Sequence, residues 1–353
     1  MSAKRTGDNH TALRLIAALA ASAACLAQQP PRQSPARPAA DTQPGGLADR
    51  ETLMISHSSA GSIAVSIGNR PALLYQWCNT PRKPYVRELH TPGGAQFLLD
   101  APPDHVHHHG LMFAVGVNGV DFWSEGDNTG AEVDRTKAGA MVQTTRRGSA
   151  LIEQRLHWVP RGDKDETLLV EQRTIELAPP GQGGPASLTL VTWYSRLSVP
   201  DGATEAQLTG SHYFGLGMRF VRAMDKVGKF VNSENAAGEI VRGDERLYPG
   251  RWCAYRADLD GKPVTVAMFD GPRNIRPATW FTMAEPFAYL SATLKLHKEP
   301  LTLKADRPVE LCYGIAAWDG RVDAERIEKT YQLWLTRFAK AAEAGPQLGE
   351  PRK

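Results

Sequence analysis

The residues best able to do chemistry fall in one short stretch, Pro102-Pro103-Asp104-His105-Val106-His107-His108-His109-Gly110. Four of the chain's ten histidines lie within five positions there. Prolines introduce the stretch and an apolar run, 111–117, follows it. It reads as a loop presented by a sheet, a common place for function. Imidazole changes charge near neutral pH, so one ring can act as general acid or base. Its neighbours would then resist protonation or hydrogen-bond a substrate hydroxyl. If the segment is extended, His105, His107 and His109 point one way, and Asp104, Val106 and His108 the other. Those three neutral rings could instead hold a divalent transition metal such as zinc, copper or iron. Asp104 would be a ligand or would orient one. Spacing alone identifies no distant fourth ligand. A hydrogen-bonded loop with exposed histidines is the third reading, and all three stay open.

Weaker candidates lie elsewhere. Asn118-Gly119 is a tight-turn signal, and Asp121 and Trp123 alternate after it. A carboxylate beside an indole suits a sugar, with the ring stacking and the acid accepting hydroxyl bonds. A core Trp with a turn Asp is the alternative. His212-Tyr213 sits in the glycine-bearing run 210–217, where backbone can approach a ligand closely. Asn232-Ser233-Glu234 follows a strand-like run. Arg273 and Asn274 lie in a loop after Phe269-Asp270-Gly271-Pro272, and Arg273 could bind a carboxylate or oxyanion. The assignment is His107 or His108 as the proton carrier, with Asp104, Asp121 or Glu234 as carboxylate partner. Asp121, Trp123, His212, Asn232, Arg273 and Asn274 would bind substrate. Glu234, His212 and Arg273 are expected within roughly 15 Å of His107, because catalytic groups must reach one substrate. Serine-hydrolase, P-loop, zincin and dinucleotide fingerprints are missing from the sequence.

A sheet must position these groups. Short alternating runs dominate from about Thr52 to Trp318: 62–67, 151–159, 168–177, 188–197, 264–269 and 309–316. Their period of two predicts strands. Gly68-Asn69, Asp201-Gly202 and Asp260-Gly261 punctuate them as turns. One helix is predicted over 323–342, with Ala324, Ile327, Tyr331, Trp334, Phe338 and Ala341 on its apolar face. Asp323 is its N-cap. Many strands and one late helix predict an all-β fold, a large antiparallel β-sandwich with a C-terminal helix.

The ends differ in composition. Lys4, Arg5 and Arg14 precede the apolar run 15–27, which predicts a secretory signal peptide over 1–27. Ser22-Ala23-Ala24-Cys25 could serve as a lipobox, making Cys25 a lipid anchor and the only membrane contact. Residues 28–48 are rich in Gln, Pro, Ala and Gly and read as a linker. The β-domain would span 49–345, and 346–353 would be a tail. The product would be periplasmic or extracellular. Cys78, Cys253 and Cys312 show no CxxC pair, so one disulfide or buried free thiols are both compatible. The formal charge is +3, and removing Lys4, Arg5, Arg14 and Asp8 with the leader leaves +1. Nothing in that balance points to nucleic acid. A composition of 42% hydrophobic and 22% charged residues excludes a wholly disordered chain.

Several motifs occur together in order: Lys83-Pro84-Tyr85-Val86, His90-Thr91-Pro92-Gly93-Gly94, the histidine stretch and Asn118-Gly119-Val120-Asp121-Phe122-Trp123. Val231-Asn232-Ser233-Glu234, Phe269-Asp270-Gly271-Pro272-Arg273-Asn274 and Pro277-Ala278-Thr279-Trp280 follow. The set resembles a bacterial family labelled "methane oxygenase PmoA", a DUF6807-type domain of unknown function, over roughly residues 52–318. The family pattern at the cluster is close to P-P-D-H-P-H-H-R-G-L-W. This chain departs at Val106, His109 and Met112, and His109 removes a permanent cation. The membrane subunit of methane monooxygenase crosses the bilayer repeatedly, whereas here only the short leader is apolar enough to consider, so the chain is not that subunit. The resemblance implies a secreted sandwich similar to sugar mutarotases.

Three functions compete. The first is a secreted carbohydrate-active enzyme, a hydrolase, lyase or epimerase acting on a glycoside or an oxidised sugar such as a keto-glycoside. The second is a non-catalytic protein that binds a sugar or oligosaccharide. The third is a metal-dependent oxygenase or hydrolase.

Overall fold

Tight turns with left-handed residues set the hairpins. Asp260 and Gly261 both have positive φ, +51° and +78°, as a two-residue type I′ turn requires. They join strands Trp252–Leu259 and Lys262–Asp270 in register. Asn118 (+50°) and Gly119 (+84°) do the same for Gly116–Val117 and Val120–Asp121. The predicted strands are present, among them Ser62–Ile67, Ala150–Val159, Leu169–Leu177, Thr189–Ser198 and Val309–Asp319.

The computed structural model describes residues 52–336 apart from 137, 163–165 and 182–187. The expected leader, linker, last helical turns and tail lie outside the described residues. So do Cys25, Phe338 and Ala341.

Two large antiparallel sheets carry the fold. The ten-stranded sheet runs Leu53–Ser58, Ser62–Ile67, Arg70–Gln76, Tyr85–Leu89, Leu111–Ala114, Gly215–Arg219, Tyr289–Thr293, Thr279–Met283, Glu245–Pro249, Glu239–Arg242. The nine-stranded sheet runs Lys229–Asn232, Trp252–Leu259, Lys262–Asp270, Val309–Asp319, Thr189–Ser198, Leu169–Leu177, Ala150–Val159, Ala131–Val133, with Met141–Thr144 also on Ala150–Val159. Alternation divides each strand between faces. In Gly215–Arg219, Leu216 and Met218 enter the core between the sheets, alongside Phe113, Trp193, Leu290 and Ile315. Gly215, Gly217 and Arg219 face the other way.

The nine-stranded sheet buries its outer face under the helix Ala324–Trp334, through Ile327, Tyr331 and Trp334. Asp323 caps the helix by accepting from the Arg326 N–H at 2.8 Å. Ala324 is exposed and Thr330 takes a place on the buried face instead. The His90–Gly94 motif ties the two sheets together. Thr91 Oγ1 donates to Asp319 Oδ1 at 2.5 Å, and the Gly93 N–H donates to Oδ2 at 2.7 Å. A Cβ at Gly93 would sit 2.8 Å from that carboxylate, so only glycine admits the contact. Cys78, Cys253 and Cys312 are free thiols. Among the described residues no helix is long and apolar enough to cross a membrane.

Candidate active site on the outer face of the ten-stranded sheet

The register lays out the floor of the site. Met112, Gly217, Ser291, Phe281 and Leu247 form one transverse row on the outer face. Arg219, Tyr289 and Met283 form the next. Tyr85, Met112, Trp123, Phe281, Phe287 and Tyr289 make a separate apolar cluster here, with Tyr213 and Phe214 packed against it. Gly217 is the low point, because a Cβ there would lie 2.1 Å from the Tyr289 hydroxyl. Gly217→Ala is therefore expected to displace Tyr289 and cost about 1–3 kcal/mol, read as a lower melting temperature.

The histidine stretch forms one wall, and it is not extended. The His105 N–H donates to Pro102 O and the His108 N–H to His105 O, both at 2.9 Å. Two successive turns abolish the alternation expected for a strand. His105, His107 and His108 therefore gather, with ring centroids 4.6 Å apart for His105–His108 and His107–His108 and 5.8 Å for His105–His107. His109 leaves them and stacks on Tyr85 at 4.3 Å. Its Nδ1 lies 2.7 Å from Asp100 Oδ1 and its Nε2 2.8 Å from Glu125 Oε1. Both nitrogens are taken, so His105, His107 and His109 do not form the shared metal face read from spacing. Among the described residues no group of three or more His, Cys, Asp or Glu is placed to hold a metal ion.

Each ring has its own electrostatics. His105 Nδ1 lies 3.0 Å from Asp104 Oδ2, a carboxylate–imidazole pair. Arg222 donates to Asp104 Oδ1 at 3.2 Å, and Arg219 stands 4.0 Å from Oδ2. The His105 hydrogen bond, with help from Arg219, holds the Asp104 carboxyl below its usual value. Burial, then Lys83 and His105, push half-buried His107 down. Burial and the neighbouring His107 and His105 push His108 to about 2, so it is neutral at any working pH. For His109 burial works downward, but the hydrogen bonds to Asp100 and Glu125 outweigh it and raise the ring. The position thus still carries a cation, although a titratable one.

Behind His109, Lys83 Nζ donates to Glu125 Oε1 at 3.2 Å and to Trp123 O at 3.1 Å. Tyr85 donates to Asp100 Oδ2 at 3.0 Å. This chain of charges joins the histidine wall to the Trp123 wall. Four buried polar atoms on the face have no protein partner among the described residues: His108 Nδ1, Trp123 Nε1, Tyr289 Oη and Arg219 Nε. Native proteins leave few such atoms, and sites of ligand binding are one reason for them.

Several sequence expectations are relocated. Trp123 is only 1% exposed and stacks on Phe214, so it is a wall of the site and not an open platform. Asp121 closes a turn by accepting from the Trp123 and Ser124 N–H groups. His212 does reach this face, through ring contacts to Tyr213 and Phe281, and Glu245 holds its Nε2 at 3.2 Å. The carboxamide of Asn232 closes its own turn on Ala236 and Glu234, and Glu234 accepts from Ser233. Asn274 is locked onto Asp270 and Cys312. Asn232, Glu234, Arg273 and Asn274 belong to the end strand of the nine-stranded sheet or to loops following its strands. The side chains of Asn232, Glu234 and Asn274 are engaged within these segments. Their place on the nine-stranded sheet, away from the strands that carry the histidine wall, was not foreseeable, because sequence motifs carry no information on which sheet a loop joins. Tyr289, Arg219, Lys83, Glu125 and Phe287 were missed. The available signals were a lone Arg in the apolar run 214–221 and Lys83 in the motif Lys83-Pro84-Tyr85-Val86.

Similarity to solved structures is remote. GH36 α-galactosidase AgaB from Geobacillus stearothermophilus aligns at 9% identity and TM-score 0.46, over 80% of this chain and 43% of that one. The α-galactosidase from Lactobacillus brevis aligns at 7% identity and TM-score 0.44, over 82% and 43%. The 4-α-glucanotransferase from Thermococcus litoralis gives 8% and 0.28, over 76% and 40%. The chain thus spans less than half the length of these enzymes. None of the curated proteins matches it in sequence. The family match carries no methane-oxygenase activity with it. It covers residues 62–332, most of the chain, and the chain belongs to the family of unknown function DUF6807.

Proposed function

We propose that the protein is a carbohydrate-active enzyme that moves a proton on a sugar, as a hydrolase, lyase or epimerase. The observation that carries this reading is the Asp104–His105 pair beside neutral His107 and His108. A carboxylate on Nδ1 selects the tautomer that leaves Nε2 free to accept a proton. His107, half-buried and neutral, is the second proton carrier. Tyr289 Oη, Trp123 Nε1 and Arg219 Nε supply unpaired donors for sugar hydroxyls or a carbonyl oxygen. Proton abstraction beside a carbonyl, as in a keto-glycoside, needs only such a base and an oxyanion partner. Glu234 has no part in this scheme, and His105 replaces it. The leader over 1–27 would place the activity in the periplasm or outside the cell, with Cys25 as an optional tether.

The test is a panel of glycosides and keto-glycosides followed by product mass. His105→Ala is expected to lower kcat by about 10²–10⁴-fold while substrate binding changes little. Asp104→Asn should lower kcat less and shift the pH profile. Binding without turnover by the unmodified protein would replace this reading with a sugar-binding one. Near-stoichiometric metal, lost in His105→Ala, would put metal-dependent chemistry first.

A further inference from the structure

The segment 77–82 links strands Arg70–Gln76 and Tyr85–Leu89. It faces strand Ala131–Val133 together with Asp134, Thr136 and Gly139. Between them opens a cleft of about 280 Å³, lined by Trp77, Asn79, Arg82, Glu132, Asp134 and Thr136 among others. The histidine rings do not line it. We propose that this cleft binds a single neutral sugar ring, or a polyol of that size, independently of the histidine site.

Size is the first argument. Pockets for drug-sized ligands run about 300–1,000 Å³, so this one suits a ring and not a chain. Unpaired polar atoms are the second. Trp77 Nε1 and Glu132 Oε1 are buried without a partner among the described residues, and both residues line the cleft. Glu132 is only 4% exposed. The indole nitrogen can only donate. A carboxylate oxygen can only accept, and burial pushes the Glu132 carboxyl up to about 8, where the oxygen can carry a proton. A hydroxyl satisfies the indole and either form of the acid. A bare anion cannot donate, and a metal or ammonium cation cannot accept.

Charge is the third argument. The lining holds Arg82, which donates to Gly126 O, and Asp134, whose oxygens are already engaged by Thr136 and Gln154. No single sign dominates the lining. Gly139 packs against the Trp77 ring, which a Cβ there would approach within 2.6 Å.

The experiment is calorimetric titration of the full chain with neutral hexoses and pentoses, with a uronate and inorganic phosphate as controls. Saturable binding of a neutral sugar is expected. It should weaken about tenfold in Trp77→Phe, which keeps a ring and removes the N–H. Asn79→Gly, whose φ of +54° glycine adopts freely, should also weaken it and serves if the first variant does not fold. His107→Ala should leave it unchanged. No saturable binding by any neutral sugar overturns the proposal, as does binding of uronate or phosphate alone. Binding lost in His107→Ala but kept in both cleft variants also overturns it, by assigning the sugar to the histidine face.

Discussion

Arg173→Met is expected to cost about 3–5 kcal/mol of stability, enough to lower the melting temperature by roughly 10 °C in a domain of this size. Arg173 is 2% exposed and lies between the two sheets. Its guanidinium donates to Glu171 at 2.9 and 2.8 Å and to Glu132 at 2.8 Å. It also donates to Pro84 O at 2.8 Å, which crosses from the nine-stranded sheet to the ten-stranded one. Trp158 Nε1 and Ser195 Oγ complete the shell around Glu171. Removing the cation leaves Glu171 without its charge partner in the interior, beside a Glu132 carboxyl that burial already pushes up to about 8. A buried charge without its partner is the costly case, whereas the intact pair contributes little net stability. The loss should shrink as pH falls through about 8, because Glu132 takes up its proton there and no longer draws on the guanidinium. Thermal melts from pH 8 down to pH 5 check both points. A loss independent of pH would show that packing, not charge, is what Arg173 supplies. Its bond to Pro84 O also steadies Lys83 and Tyr85, so the variant should disturb the site before it unfolds.

His109→Gln is the second large effect, expected at about 2–3 kcal/mol because one of two charge-assisted hydrogen bonds is left unmade. Its sign with pH is defined. The His109 ring is raised in the fold, so its contribution is complete below the unfolded value near 6.5. It is lost as pH rises through the higher folded value. Burial alone would raise the Glu125 carboxyl, but its hydrogen bond from His109 and the charge of Lys83 bring it below the usual range. That contribution is present above the unfolded value near 4.3 and is lost as pH falls through the lower folded one. The difference between the unmodified protein and His109→Gln should therefore be greatest between about pH 4.3 and 6.5. Denaturant titrations across pH 4–9 measure it. A flat difference would mean that His109 is neutral in the fold. An Arg at this position would hold its charge throughout this range; His109 does not, so the tie between the histidine wall and the Trp123 wall loosens in alkali.

Much of the architecture was legible locally. Ser62–Ile67 alternates apolar and polar residues because one strand face meets the core, and Asp260-Gly261 and Asn118-Gly119 announce type I′ turns by their tolerance of positive φ. Asp323 is recognisable as a cap because a short acceptor before an apolar 3-4 pattern has one obvious donor. The cluster 104–109 was visible as chemistry from composition alone. Its geometry was not. Two turns closed by the His105 and His108 N–H groups replace strand alternation, so His108 joins His105 and His107 while His109 departs.

The fold class, the hairpin turns and the presence of a histidine-rich loop were readable along the chain, because each follows from periodicity, backbone preference or composition over a few residues. The tertiary structure alone decided which imidazoles face one another, that Asp104 serves His105, and that Tyr289 and Arg219 share the floor. It also put Asn232, Glu234, Arg273 and Asn274 on the nine-stranded sheet or in loops after its strands. These outcomes depend on strand order and register between segments far apart in the chain. Burial, which sets the protonation of His108 and His109 in opposite directions, exists only once the sheets have packed.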